Sequence, residues 1–415
     1  PRSTLFPYTT LFRSPASEWM NNPFLNAGFN EKYATIFYTF FLYFKLLFIP
    51  FPLTYDYYPN HIELIGWDFW GSILGLMITL GIIFWFILSF KKKNVPVFAV
   101  FVFGSSFILA SNLVFPVGVF MAERFLFMPS LGFSLLISWY LITWLKNSNT
   151  KIMLFSSAGI LILFSFLTIH RNNAWENDYV LFTTDVKTSK NSAKANCTAG
   201  GKIWEEAKLK QDSTIRNSMF QQSLKYLNKA VEIYPNYNDA ILLRGNVMWD
   251  FKKNYTSSID NYFHILNRNP YHTDAFNNSI MVLNMCDNEE FKLQAWLKMQ
   301  SFQPNRWEPY YYAGVIFGRI KNDLNHAAIL FEKAIALNGE KKEIFKDLGV
   351  VYGFKKEYIK AAQTLEKALQ LDPDDAQTCY NLGITYMALN NKQQADFYFK
   401  MRSEEHTSEL QSPNT

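Results

Sequence analysis

The chain has 415 residues, 49% of them hydrophobic, 18% aromatic and 18% charged. That apolar share excludes a disordered chain, and the length favours two structural units over one. The formal charge of +5 is small, and residues 178–400 balance 28 basic against 25 acidic side chains, so no basic stripe exists to hold nucleic acid.

Both ends look foreign to the rest. Residues 4–14 (TLFPYTTLFRS) and 402–412 (RSEEHTSELQS) resemble translations of the two partner adaptors used in short-read sequencing. On this reading 1–14 and 402–415 are artefacts, and 15–401 is a piece of a longer protein that is open at both ends.

Residues 33–169 carry only seven Lys/Arg and four Asp/Glu. A membrane-spanning helix needs about 20 mostly apolar residues. Five segments meet this in the region 15–170: 33–53, 71–90, 95–114, 127–145 and 152–169. Lys91, Lys92 and Lys93 fill one turn, and Lys146 and Lys151 flank another. Basic turns stay cytoplasmic, which places 54–70, 115–126 and everything after His170 on the outer side. Trp67 and Trp70 then lie at headgroup level.

Residues 171–192 read as a linker. From 193 to 401 a period near 34 takes over. Gly349 and Gly383 are 34 apart, as are Ala334 and Ala368. Phe345-x-x-Leu348-Gly349-x-x-Tyr352 becomes Cys379-x-x-Leu382-Gly383-x-x-Tyr386, with Ala361, Leu365, Ala368 and Pro373 in register. This is the tetratricopeptide (TPR) pattern of paired helices. Degenerate copies around Trp204, Gly245, Phe276 and Gly314 bring the number to about six. The fold class is therefore all-α: a bundle of membrane helices followed by a TPR solenoid. Such arrays bind peptides along a concave face.

The chemistry concentrates at the outer face. Glu123 and Arg124 sit between two spans, where charges are functional candidates. Arg124 offers a planar fork that suits the phosphate of a lipid-linked donor. Glu123 would orient Arg124 or accept a hydrogen bond from a sugar. Lys45, roughly two turns from the end of the first span, would reach the same phosphate level. Asp56 is a weaker candidate in the outer loop, with His61, Glu63 and Asp68 on the same side. For Arg124, Glu123 and Lys45 the alternative is snorkelling to the interface. Cys197, Cys286 and Cys379 form no disulfide or metal pattern, and packing suits Cys197 and Cys379. The six histidines do not cluster. Neither a metal-spaced set nor a phosphate-binding glycine loop occurs. Asn196, Asn254 and Asn277 head glycosylation-type triplets, a short pattern frequent by chance.

The stretches Ala110-Ser-Asn-Leu-Val114, Phe115-Pro-Val-Gly118 and Ala122-Glu-Arg-Phe-Leu-Phe-Met-Pro-Ser-Leu-Gly-Phe133, with Asn22-Pro23, Pro50 and Asp56 as weaker echoes, resemble the transmembrane-and-TPR protein O-mannosyltransferases and their bacterial relatives. Phe127 stands where the family often has Tyr, and Leu131 where it often has Met. The resemblance implies a membrane glycosyltransferase of the GT-C class. It would move a sugar from a polyprenyl-phosphate donor to protein Ser or Thr on the periplasmic or lumenal side. The repeats would hold the acceptor protein. The catalytic acidic residue, a general base for the acceptor hydroxyl, is expected upstream of this chain, so the chain alone is expected to be inactive. No cofactor is implied here beyond the lipid-phosphate sugar, and the need for a divalent metal stays open. Two other readings stand beside this one: a membrane-anchored TPR scaffold without enzymatic activity, and a ligase or polymerase acting on glycans.

Overall fold

The computed structural model describes residues 22–145, 150–337 and 340–409, all of it helix, turn and loop. Residues 4–14 of the adaptor-like stretch and Lys146 lie outside the described residues. The chain divides into two compact units at Val247 and Met248.

In the first unit, α1 (Phe29–Phe48) leads through a long loop to α2 (Trp70–Ser89) and α3 (Val95–Phe107). A second loop ends in a 3-10 turn (Glu123–Leu126) that enters α4 (Phe127–Leu145), and α5 (Thr150–Asn172) follows. Stretches 70–92, 123–143 and 154–175 are each long and apolar enough to cross a membrane. Their faces are open: Met77, Phe84, Ile87 and Leu161 are all exposed. Apolar area on that scale marks contact with lipid or partner.

The other two expected spans take a different form. α3 with its 3-10 extension covers 95–110, about 24 Å at ~1.5 Å per residue. That is less than the ~30 Å hydrocarbon core. α1 has 20 residues but carries Glu31, Lys32 and Lys45 and is rich in Tyr and Thr. It is the inner helix of this unit: Ile36, Phe40 and Tyr43 are buried with Phe107, Phe120 and Met121. A Cβ on Gly75 of α2 would collide with the Phe37 carbonyl of α1. The missing side chain lets the two backbones touch.

Beyond α5 come α6 (Asp178–Asp185), α7 (Ala193–Lys208), α8 (Ser213–Ile233) and the start of α9 (Asn238–Lys252). Asn177, Ser192 and Asp212 cap α6, α7 and α8, each accepting a bond from a first-turn N–H. α7 and α8 pack as a hairpin.

The second unit runs through α10 (Tyr255–Arg268), α11 (Thr273–Asn284), α12 (Glu289–Phe302), α13 (Glu308–Arg319), α14 (Leu324–Ala336), α15 (Lys342–Phe354), α16 (Tyr358–Leu371), α17 (Ala376–Ala388) and α18 (Lys392–Glu409). The pairs α13/α14, α15/α16 and α17/α18 pack as successive hairpins. The period explains the packing. A Cβ at Gly349 would strike Leu365 of the paired helix, so this position stays empty so that the helices can close. Cys197, Cys286 and Cys379 are buried and form no disulfide, and burial raises the Cys197 pKa to about 12. They act as small apolar packing groups.

Asp375 caps α17 and pairs with Lys346 of α15 at 2.9 Å. Partial burial works against its carboxylate, but Lys346 and Thr378 outweigh that and hold its pKa below the ordinary value. The unfolded chain therefore takes up the proton first. The stability from this group is present above pH ~4 and is lost as pH falls through the folded value. Asp375→Asn, which keeps the cap, should flatten the acid limb of the stability curve. Asp375→Ala should cost about 1 kcal/mol at neutral pH as well, read by denaturant melts.

Candidate functional site

The C-terminal end of α1 and the lengths of α4 and α5 border an open groove of about 1060 Å³ in the first unit. Its long walls are apolar, with Leu46, Leu126, Ile137, Leu141, Ile160 and Phe164 among them. Serines and Thr168 are scattered along the walls, and the charged groups gather at one end: Glu123, Arg124 and Arg171, with Asn172 beside them. A greasy channel with a cationic mouth is the shape of a site for a lipid with an anionic head.

Arg124 is exposed and makes no ion pair or side-chain hydrogen bond among the described residues. Its guanidinium lies 5.4 Å from the Phe125 ring centroid. Its five donors therefore have no acceptor among the described residues.

Glu123 is not the orienter of Arg124 that adjacency in sequence suggests. One oxygen, Oε1, accepts from the Thr54 N–H at 2.6 Å and from the Tyr57 hydroxyl at 2.8 Å. The reason lies in the 3-10 turn that carries both residues. Successive side chains there point about 120° apart, so Glu123 faces the first outer loop while Arg124 faces away.

Lys45 does not join Arg124 in this cavity. It lines a second one of about 350 Å³, with Tyr38, Tyr57, His61, Glu63 and Phe69. Asp56 is buried at 6% exposure. Its carboxylate accepts from the Tyr58 N–H at 2.8 Å and pairs with Lys194 of α7 at 2.9 Å. It holds the loop in place. Trp67 lies beside the Phe37 ring, and Trp70 is exposed at the start of α2.

The expected linker 171–192 is a clamp. Arg171 donates to Asp185 through both terminal nitrogens, at 2.5 and 2.7 Å. Asp185 is 1% exposed and also accepts from the Tyr55 N–H at 2.7 Å. Ser189 bonds the Thr54 hydroxyl at 2.6 Å and the Asp56 carbonyl at 2.8 Å. Ser192 donates to the Tyr58 carbonyl, and the Ala193 N–H donates to the Pro59 carbonyl. Tyr55 meets the Thr198 hydroxyl, and burial pushes its phenol well above the ordinary pKa. Residues 54–59 are thus bonded to α6 and α7 along their whole length. Through Thr54 and Tyr57 the same segment fixes Glu123 at the cavity mouth.

The loop before Glu123 is built around Asn112, which lies at φ 60°. Its amide donates to the Val119 and Phe120 carbonyls and accepts from the Val117 N–H. This explains the Ser-Asn-Leu-Val block on structural grounds. Asn112→Ala leaves those buried groups unpaired and should destabilise the unit by about 1–3 kcal/mol, measured by thermal melting in detergent.

No group of three or more His, Cys, Asp or Glu suited to a metal occurs among the described residues. In the second unit a smaller cavity of about 320 Å³ is lined by Val315, Arg319, Asp347 and Phe354. Arg319 donates to Asp347 at 3.0 Å there.

Comparison with known proteins bears on the repeats and on the chain's relatives. Residues 355–390 match the TPR repeat family. The chain is similar to protein O-mannosyl-transferase TMTC3 of Homo sapiens, 28% identical over 70% of this chain and 28% of the relative. It is 28% identical to TMTC1 of Homo sapiens over 60% of this chain and 26% of that protein. The Tmtc3 protein of Drosophila melanogaster is 33% identical over 31% of this chain and 13% of its own length. The chain spans about a quarter of the two human relatives. The resemblance first seen in residues 110–133 therefore extends to curated homologues. Among solved structures, the MamA protein aligns at 17% identity over 54% of this chain and 98% of its own, with a TM-score of 0.32. YrrB, a TPR protein with an unusual peptide-binding site, aligns at 15% over 55% of this chain and 94% of its own, with a TM-score of 0.30.

Proposed function

We propose that this chain is part of a membrane protein O-mannosyltransferase and supplies the donor-lipid groove and the acceptor-binding repeats. One observation carries the reading: a 1060 Å³ largely apolar groove ends at an Arg124 guanidinium that has no acceptor among the described residues. The polyprenyl chain lies against α4 and α5, and the phosphate sits at Arg124. The relatives' names supply the reaction class.

In this reading Arg124 neutralises the lipid phosphate as the sugar departs. A fixed charge at the leaving phosphate stabilises the transition state without reorganisation. Arg171 adds a second positive group at the groove mouth, held by Asp185. Three carboxylates nearest the groove mouth are engaged, Glu123 by Thr54 and Tyr57, Asp56 by Lys194 and Asp185 by Arg171. The resemblance to the O-mannosyltransferases implies that the base for the acceptor hydroxyl comes from a part of the protein outside this chain. α1 and the shorter α3 pack with the three long apolar helices in the membrane region, with the repeats on the outer side. The TPR hairpins hold the acceptor polypeptide.

The engaged carboxylates also favour the competing reading, a membrane-anchored scaffold. A polyprenyl phosphate with a photoreactive group in its chain separates the two. It should label α4 and α5 around Ser134, Ile137 and Phe164 and leave α2 unlabelled. Equal labelling of α2, or labelling unaffected by competing unlabelled lipid phosphate, would favour the scaffold.

A further inference from the structure

The second cavity takes no part in the function just proposed. It lies between α1 and the loop 49–69, about 350 Å³ in volume. Two full charges of opposite sign line it, Lys45 from the last turn of α1 and Glu63 from the loop. Neither forms an ion pair or a side-chain hydrogen bond among the described residues. This differs from the rest of the loop, where Asp56 and its neighbours are all matched to protein partners.

The remaining lining sets the depth and the balance of charge. Tyr38, Tyr57 and Phe69 form aromatic walls, and Leu42 and Leu46 continue them along α1. Trp67 and Trp70 flank the same loop, as aromatics do at the level of lipid headgroups. His61 also faces the cavity, and burial lowers its pKa despite the pull of Asp56. Burial thus favours its neutral form, and the oppositely charged side chains of the lining are Lys45 and Glu63.

We infer that this cavity binds the headgroup of a zwitterionic phospholipid, with the phosphate at Lys45 and the ammonium at Glu63. Charge complementarity selects the occupant. An anionic lipid would satisfy Lys45 and set a second negative charge beside Glu63. A zwitterion satisfies both, and its ammonium also gains from the aromatic faces. The acyl chains follow Leu42 and Leu46 into the bilayer. The site adjoins the donor groove: Leu46 lines both, and the Tyr57 hydroxyl in this cavity bonds Glu123 in the other, but the charged groups differ, Lys45 and Glu63 here against Arg124 and Arg171 there.

The test is lipid retention by the full chain in mild detergent, read by native mass spectrometry. Phosphatidylethanolamine and phosphatidylglycerol are offered at equal concentration. The protein should retain phosphatidylethanolamine about tenfold better, the size of one charged hydrogen bond. Lys45→Gln should lower that retention about tenfold. Glu63→Gln should lower it similarly while leaving phosphatidylglycerol unchanged or improved. Both side chains are exposed, so the variants should melt with the parent. Equal or preferred retention of phosphatidylglycerol would overturn the inference, as would phosphatidylethanolamine retention unchanged in both variants. Arg124→Ala should leave this retention intact, so failure of the donor-groove reading would appear separately.

Discussion

Asp185→Ala should lower the stability of the first unit by about 3–5 kcal/mol, the cost of stripping a buried charge of its partner. Asp185 is 1% exposed and takes three hydrogen bonds, two from Arg171 and one from the Tyr55 N–H. Removing it leaves the Arg171 guanidinium uncompensated and frees the segment that holds Glu123. Melting in detergent should show the drop. Hydrogen exchange should show lost protection at Tyr55 and Thr54, with the TPR hairpins α15/α16 unaffected. Asp185→Asn keeps the shape and some bonds, so its loss should be smaller. A melt within 0.5 kcal/mol of the parent for Asp185→Ala would mean that the clamp does not hold the unit together.

Arg124→Ala should weaken binding of a polyprenyl phosphate by roughly 10–100-fold, since a charge-assisted bond contributes about 1.5–3 kcal/mol. Among the described residues Arg124 has no ion pair or side-chain hydrogen bond to lose, only an exposed contact with the Phe125 ring, so stability should stay within about 0.5 kcal/mol. Arg124→Lys keeps the charge but not the fork, and should fall between the two. Binding can be followed by fluorescence of a labelled lipid phosphate in nanodiscs. Equal weakening for the uncharged polyprenol would place the effect in packing and not in phosphate recognition.

Much of the fold was legible because it rests on composition and repetition. The apolar run of α2 has one structural solution in water or lipid. Gly349 and Gly383 recur because one steric site recurs, where a Cβ would strike the paired helix. The depth of α1 was harder to read. Its Tyr, Thr and Phe residues suit a span by length, but their burial against Phe107 and Phe120 depends on partners far along the chain.

The site was legible in its residues and not in its pairings. Residues 110–133 stand out in sequence, and Arg124 sits at the groove mouth. Glu123 next to it invited the idea of a pair, yet the 3-10 turn sends them in different directions. The role of 171–192 left no local trace. A stretch of Ser, Thr, Asn and Lys looks the same whether solvated or bonded to a loop 130 residues away, as Asp185 is to Tyr55. Periodicity carries no information about such contacts. Arg171 could have been suspected from its place at the end of an apolar helix, where an Arg is costly unless matched.

The central claim is that the groove recognises a phosphate on a long isoprenoid chain. Competition between polyprenyl phosphate and polyprenol of equal length, on the unaltered protein in nanodiscs, tests it most directly. The account predicts at least tenfold preference for the phosphate, reduced to near parity in Arg124→Ala. Equal retention of the two lipids by the unaltered protein would contradict it.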